Sequence, residues 1–469
     1  MNAPLWTAED AVSATGGRTS APFRATGLSI DTRSLEPGDL FIALKGDNRD
    51  GHEFIGAAFQ KGAAAALVSE PADAKGPLLT VADTLDGLRG LGAASRARTR
   101  AKILAVTGSV GKTSTKEALR LVLGHFGATH ASAASYNNHW GVPLSLARMP
   151  RETAFGVFEI GMNHAGEIAP LAGFAQPHVA IVTTVEPVHM EFFASVEAIA
   201  EEKGEIFSGL VAGGTAIINR DNPYFTLLRN KAERFNAEVL GFGAHEEADA
   251  QLVAINPERE GSAVTAMICG QPVRYHLGAP GRHIALNSLA VLAAIHVLGL
   301  DLSEAASMLE ELSPPKGRGA RSRIESPAGR VVLIDESYNA NPASMKAALA
   351  LLGDTRPEGS GRRIAVLGDM LELGAGGPAY HAGLAAPIEA ADVDLVFLSG
   401  PLMEHLWDVL PPYRRGARAA TAAQLAELLI AELRAGDVIM VKGSFGSRMG
   451  QVVEALKTLG PDARMRQGG

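Results

Sequence analysis

One cysteine, Cys269, in 469 residues excludes an intramolecular disulfide and suits a reducing compartment. A basic excess is also missing: 43 Lys and Arg stand against 51 Asp and Glu, a formal charge of −8. Nucleic-acid binding, which leans on surplus cations, is therefore not expected, and any phosphate site must be local. There is no long apolar run. The most apolar helix candidate, Leu286 to Leu300, is interrupted by Asn287, Ser288 and His296 and is too short to cross a bilayer. Met1 to Asp10 lacks a charged start leading into an apolar stretch, so no export signal is read there. No membrane insertion and a cytoplasmic location are expected. Neither a sequence repeat nor a long low-complexity segment occurs.

What the chain does have is apolar material for several cores, 46% of its residues. Dividing the length by about 150 suggests three domains. Residues 1–100 alternate short apolar runs with turns, as in Leu40-Phe41-Ile42-Ala43-Leu44, and read as a small α/β domain. Residues 101–313 carry strand candidates at Phe155–Ile160, Val179–Thr183 and Thr215–Ile218 with helical patterns between, the signature of a parallel sheet covered on both faces. Glu238 to Leu277 reads as short β segments, a small antiparallel insertion. Ser313 to Gly319 has linker chemistry. Residues 314–469 repeat the strand–helix alternation at Val331–Ile334, Arg363–Leu367, Leu395–Leu398 and Val438–Val441, a second, Rossmann-like doubly wound sheet. The expected fold class is α/β, with three α/β domains.

The densest chemical signal is Thr107-Gly108-Ser109-Val110-Gly111-Lys112-Thr113-Ser114, between the apolar run Ile103–Val106 and a helical pattern from Lys116. Glycines let backbone N–H groups close on phosphate oxygens, and the helix N-terminus adds its positive end. Lys112 can reach terminal phosphates, and the Thr113 hydroxyl can hold Mg²⁺. Val106 stands where the strict pattern wants glycine, so this is the shorter Gly-x-x-Gly-Lys-Thr form. Glu159 closes a strand of the same sheet, where a carboxylate is placed for a divalent ion, though a solvated strand end would look alike. His189 and Lys203 follow on a loop and a helix, and alone each fits a solvated or structural role. Asp335 opens Asp335-Glu336-Ser337-Tyr338-Asn339-Ala340-Asn341-Pro342 at another strand end. There a carboxylate can accept from ribose hydroxyls and Asn339 can offer an amide to a base, or the run can be a plain helix cap. Lys442-Gly443-Ser444-Phe445-Gly446-Ser447-Arg448 supplies two cations suited to a carboxylate.

Taken together these residues resemble the Mur ligase family over nearly the whole chain. The likeness rests on Asp31-Thr32-Arg33, Asp50-Gly51-His52, Thr107 to Ser114, Asn137-Asn138 with Gly141-Val142-Pro143, Glu159-Ile160-Gly161-Met162-Asn163 and Lys203-Gly204-Glu205-Ile206. Its most specific pieces are Tyr338-Asn339-Ala340-Asn341-Pro342 and Leu367-Gly368-Asp369-Met370-Leu371-Glu372-Leu373-Gly374. Those two separate the member that adds a dipeptide from siblings that add single amino acids. The resemblance implies an ATP-dependent amide ligase that uses Mg²⁺ and joins D-alanyl-D-alanine to UDP-N-acetylmuramoyl-tripeptide through an acyl phosphate. A monomer is the default.

By the same resemblance Thr113, Glu159, His189 and a carbamylated Lys203 are the metal positions, and Lys112, Glu159, His189 and Lys203 form the catalytic set. Asn287 is adenine-side, Asp335 ribose-side, and either Arg318 or Arg321 reaches ATP. Ser29, Thr32, Arg33, Asn137, Asn138, Lys442 and Arg448 are substrate candidates. The sequence departs from the family at Ile284, where an asparagine after histidine is usual, and at Glu336, where the usual acid is aspartate. Two rivals are a sibling ligase with another amine and a phosphate-loop protein that binds nucleotide without catalysis. The second gives no reason for the Asp335–Pro342 run.

Overall fold

A computed structural model describes residues 4–46, 49–70, 74–133, 136–258 and 261–459. Within them the chain forms three mostly parallel sheets and a short two-stranded ribbon. No helix among the described residues is long and apolar enough to cross a membrane.

The central sheet has nine strands in the spatial order Gln271–Leu277, Ser262–Ile268, Ala250–Pro257, Glu238–Gly243, Thr215–Asn219, Val179–Val182, Lys102–Thr107, Phe155–Glu159 and Thr129–Ala131. The last six run parallel to one another. Side chains of a strand alternate between faces, and here both faces are buried. Leu104 and Val106 pack with the helices Lys112–Phe126 and Arg282–Val297. Ile103 and Ala105 pack with the helices Ile168–Ala175 and Val196–Gly204. That is why these strands read as unbroken apolar runs. The stretch from Glu238 to Leu277 is not a separate insertion. Its first strand pairs parallel to Thr215–Asn219, and the rest prolongs the same sheet. Leu252, Val264, Ala266, Ile268 and Tyr275 then cover the helix Arg282–Val297.

The sheet of the C-terminal part runs Ala320–Ser326, Gly329–Glu336, Val438–Lys442, Arg363–Gly368, Leu395–Ser399, Arg415–Ala419, parallel except for the first strand. Two of its strands were not legible beforehand. Ala320–Ser326 buries only Ile324, and Arg415–Ala419 offers arginine, glycine and alanine at a sheet edge, residue types with little β preference. The N-terminal sheet has five short strands, Arg18–Thr19, Leu78–Thr80, Ala65–Val68, Asp39–Ile42 and Gly27–Ser29.

The N-terminal and central parts are clamped together. Trp6 Nε1 donates to Ala147 O at 2.9 Å, Arg148 Nε to Leu28 O at 2.7 Å, and Ser95 Oγ to Met149 O at 3.2 Å. The C-terminal part is attached differently. Its hydrogen bonds to the rest of the chain, among the described residues, are those of Glu372 to His189 and Glu191. In all the parallel strands the carboxyl ends share one edge, and the carboxyl edges of the central and C-terminal sheets face a common cleft.

Asp437, fully buried, holds the C-terminal sheet in register. It accepts from Arg362 N at 2.9 Å, Arg434 N at 2.9 Å and the Arg362 guanidinium at 2.8 Å. Asp437→Ala strands the largely buried Arg362 charge, and unfolding by urea or heat is expected to show a loss of about 3–5 kcal/mol.

Candidate active site

The strand Lys102–Thr107 delivers a tight loop to the helix Lys112–Phe126, and the loop's glycines are fixed by what lies beside them. Gly108 has φ 145°, and a Cβ there would sit 1.9 Å from Thr183 Oγ1. Gly111 has φ 90°, and a Cβ there would sit 2.6 Å from Asn287 Nδ2. Thr183 donates its hydroxyl to Val110 O at 2.5 Å, and Ser109 N donates to Thr184 O at 2.8 Å. The loop is thus held from the next strand's end before any ligand arrives. Ser114 Oγ donates to Gly111 O at 3.0 Å, closing the helix's first turn. The Thr107 hydroxyl is buried with no hydrogen-bond partner among the described residues.

Lys112 Nζ folds back onto Gly108 O at 2.7 Å. Burial pulls its ammonium below the ordinary lysine range, opposed by the Glu159 carboxylate and reinforced by Arg318. Glu159 is 1% exposed and receives two neutral donors, Thr113 Oγ1 at 2.8 Å and Asn137 Nδ2 at 2.7 Å. Asn137 therefore holds Glu159, a role its sequence position did not announce. Asn138 caps the helix Gly141–Ala147, accepting from Gly141 N at 2.9 Å. Lys203, on the helix Val196–Gly204, is 2% exposed, and its side chain makes no hydrogen bond or ion pair among the described residues. Burial first, then the Lys112 charge, push its amine well below the usual 10.5, against the pull of Glu202.

A cleft of about 910 Å³ joins these elements to the C-terminal sheet. Ser109 to Ser114, Asn137, Asn138, Glu159, His189, Asn287, Arg318, Asn339 and Lys442 all line it. Arg318 lies in the linker after Gly317 (φ 74°) and stacks over the Tyr338 ring, 4.4 Å from its centre. Arg321 does not line the cleft; its guanidinium turns inward to Thr355 Oγ1 at 3.1 Å. Lys442 is already paired, with Glu336 at 3.2 Å and Asn339 O at 2.9 Å. His283 lines the cleft, and burial lowers its pKa. Asn341 caps the helix Pro342–Asp354 through a reciprocal bond with Ser344.

Several residues singled out from sequence lie outside the cleft wall. Asp335 is buried with Ser337 Oγ at 2.6 Å and Lys457 Nζ at 3.9 Å. Arg448 is exposed with φ 57°. Lys203, Thr107 and Gly108 sit behind the lining. Ser29, Thr32 and Arg33 belong to the N-terminal sheet's edge, where Ser29 Oγ donates to Asp31 O at 2.9 Å and Arg33 pairs with Asp31 at 2.6 Å. Sequence reasoning missed Thr183, Glu186 and Glu372. A hydroxyl ending the strand beside Gly108 was the available signal for the first. Glu372 sat inside a quoted motif, and only the third dimension brings its carboxylate to His189 Nδ1, at 2.6 Å.

No group of three or more His, Cys, Asp or Glu among the described residues forms a ready metal cage. At the loop the Glu159 carboxylate and the Thr113 hydroxyl lie with the cations Lys112 and Arg318, while Glu167, Glu186, Asp221 and Glu336 line other parts of the cleft. Cations beside a helix N-terminus suit a ligand that brings its own negative charge, as a polyphosphate does.

Comparison with known proteins bears on the family and the fold. Three family models match in order: "Mur ligase family, catalytic domain" over residues 24–106, "Mur ligase middle domain" over 106–295 and "Mur ligase, glutamate ligase domain" over 321–445. The chain is 36% identical to the UDP-N-acetylmuramoyl-tripeptide–D-alanyl-D-alanine ligase of Escherichia coli, covering 92% of this chain and 94% of that one. A crystal structure of MurF from Acinetobacter baumannii superposes with a TM-score of 0.84 at 29% identity, covering 96% of this chain and 98% of the other. MurF ligase from Thermotoga maritima, solved in complex with ADP, superposes at 0.78 with 25% identity over 94% and 98% of the two chains. The chain belongs to the Mur ligase family.

Proposed function

We propose that this chain is an ATP-dependent amide ligase joining D-alanyl-D-alanine to UDP-N-acetylmuramoyl-tripeptide, with release of ADP and phosphate, to give the pentapeptide precursor of peptidoglycan. The observation that carries the reading is the shared cleft, in which the phosphate loop of one sheet faces the Tyr338–Pro342 turn of another. The full-length likeness to ligases of that name supports it. In this reading residues 1–100 hold the UDP end, 101–313 the triphosphate, and 314–469 the adenosine and the dipeptide. ATP as donor supports a cytoplasmic location, with the monomer as the working unit.

The chemistry follows from what the cleft can do. A carboxylate is a poor electrophile, so an oxygen of the tripeptide carboxylate attacks the γ-phosphorus, ADP leaves, and an acyl phosphate results. The dipeptide amine then attacks the acyl carbon, phosphate departs, and the amine loses its proton. Lys112 leaves the Gly108 carbonyl for the phosphates and offsets charge on the transferring group. Arg318, at the cleft rather than turned inward, is the arginine we assign to ATP. Asn287, against the loop, serves the adenine side.

Mg²⁺ fits the donor set found here. Glu159 is a buried carboxylate with only neutral donors on its oxygens, and Mg²⁺ binds through one or two such groups plus phosphate oxygens. Thr113, Glu159 and His189 would hold it, and it would supply Lewis-acid neutralisation of phosphate charge. Lys203 joins this set as a carbamate. Its lowered pKa favours the neutral amine, whose nitrogen adds to CO₂ with loss of a proton. The Lys112 charge that disfavours an ammonium at 203 favours the resulting anion.

Four outcomes are expected. Phosphate release by the purified chain requires both UDP-N-acetylmuramoyl-tripeptide and D-alanyl-D-alanine; release with neither, or with glutamate in place of the dipeptide, overturns the assignment. Arg318→Ala lowers kcat/KM for ATP about 10–100-fold, whereas Arg321→Ala leaves it nearly unchanged and lowers the melting temperature. For Lys203 the sign with pH is diagnostic. In CO₂-free buffer its buried amine loses a proton on folding at pH values between its lowered pKa and 10.5. Native stability should rise with pH across that window, by at most about 1.4 kcal/mol per unit. Lys203→Met should therefore stabilise the protein most at low pH, with the gain vanishing near 10.5. Short-chain carboxylic acids should restore activity to Lys203→Ala.

A further inference from the structure

His189 and Glu372 reach each other across the cleft from different sheets. His189 lies on the loop after the central strand Val179–Val182, and Glu372 on the loop after Arg363–Gly368 of the C-terminal sheet. Their side chains meet at 2.6 Å, His189 Nδ1 to Glu372 Oε2. Glu191 N adds a second bond to Glu372 O at 3.3 Å, and a Cβ on Gly374 would come within 3.4 Å of Met190 O. Both residues hold backbone conformations rare for L side chains, φ 54° at His189 and φ 62° at Glu372.

The loop that presents Glu372 is anchored in its own domain. Asp369 accepts from Met403 N at 3.0 Å, Met370 N donates to His381 Nε2 at 2.9 Å, and Leu371 N donates to Ser444 Oγ at 2.9 Å. So the motif's first residues build a frame, and Glu372 is the one that leaves it. A carboxylate only accepts, so His189 carries its hydrogen on Nδ1, and in the neutral ring the lone pair is on Nε2. Histidines that bind metal through one nitrogen commonly give the other N–H to a carboxylate, which fixes tautomer and ring orientation.

Resting on the reading that His189 is a cation ligand, we propose that Glu372 is a positioning residue: it sets the tautomer and orientation of His189, so that seating of the C-terminal domain completes the metal site. The motif from Leu367 to Gly374 then acts at a distance on phosphoryl transfer, through a histidine that belongs to another domain.

The test uses the full chain with Mn²⁺ as probe, titrated by electron paramagnetic resonance in the presence of a non-hydrolysable ATP analogue. Glu372→Ala is expected to weaken Mn²⁺ binding about 10–100-fold, to raise the Mg²⁺ concentration for half-maximal rate, and to recover most of kcat at saturating Mg²⁺. Glu372→Gln, whose amide oxygen still accepts from Nδ1–H, should recover much of the affinity. In the metal-free protein, ¹⁵N shifts of His189 should report the Nδ1–H tautomer in the parent chain and its loss in Glu372→Ala. Adding Glu372→Ala to His189→Ala should change Mn²⁺ affinity no further. If His189→Ala weakens Mn²⁺ binding and Glu372→Ala does not, the positioning role is overturned while the ligand reading stands. If His189→Ala leaves Mn²⁺ binding intact, the ligand reading itself fails and takes this role with it. A Glu372→Ala variant altered only in thermal stability marks a docking contact and also overturns the role.

Discussion

The hydrogen bond from Thr113 to Glu159 ties the phosphate-loop helix to the neighbouring strand, and the rest of the site is arranged around that link. Glu159 is buried, so its two oxygens need donors, and Thr113 and Asn137 supply them from the two sides. Asn137 is in turn set by the segment that leads into the buried helix Gly141–Ala147, which packs on the N-terminal part of the chain. One carboxylate therefore couples the loop, the strand beside it and the surface that reaches the N-terminal sheet. The charge on Lys112 is tolerable near it because the Glu159 carboxylate opposes the pull of burial on that ammonium.

The sequence was legible wherever burial on two faces leaves no choice. The central strands Lys102–Thr107, Phe155–Glu159 and Val179–Val182 are apolar throughout, and the glycines at 108 and 111 mark a turn that side chains at 183 and 287 make obligatory. It was less legible at the margins. The edge strands Ala320–Ser326 and Arg415–Ala419 bury too little to print a pattern, and the strands from Ala250 to Leu277 join the central sheet through a parallel step that no local signal encodes. Functional residues divide the same way. Those on the loop could be named from chemistry and spacing. The choice between Arg318 and Arg321 needed to know which side of the hairpin faces the cleft, and Glu372 needed the meeting of two domains.

The site also illustrates how charge can be kept quiet until needed. Lys112 rests on a carbonyl of its own loop, and Lys442 rests on Glu336 and the Asn339 carbonyl. Neither cation is left without a partner in the described arrangement, which limits the penalty of burying it. A phosphate or carboxylate entering the cleft exchanges one set of acceptors for another.

The uneven attachment of the three parts has a consequence for how the molecule can change over generations. The N-terminal and central parts are fastened by several hydrogen bonds and a shared buried helix, whereas the hydrogen bonds of the C-terminal part to them, among the described residues, are those of Glu372. Few hydrogen bonds therefore couple the C-terminal sheet to the side of the cleft that carries the phosphate loop, and the Glu372–His189 bond is the one that joins side chains, at a histidine lining the cleft. Substitutions within the C-terminal sheet have few routes by which to disturb the phosphate loop, so the first two parts can be kept while the third is varied, provided the Glu372–His189 contact is retained.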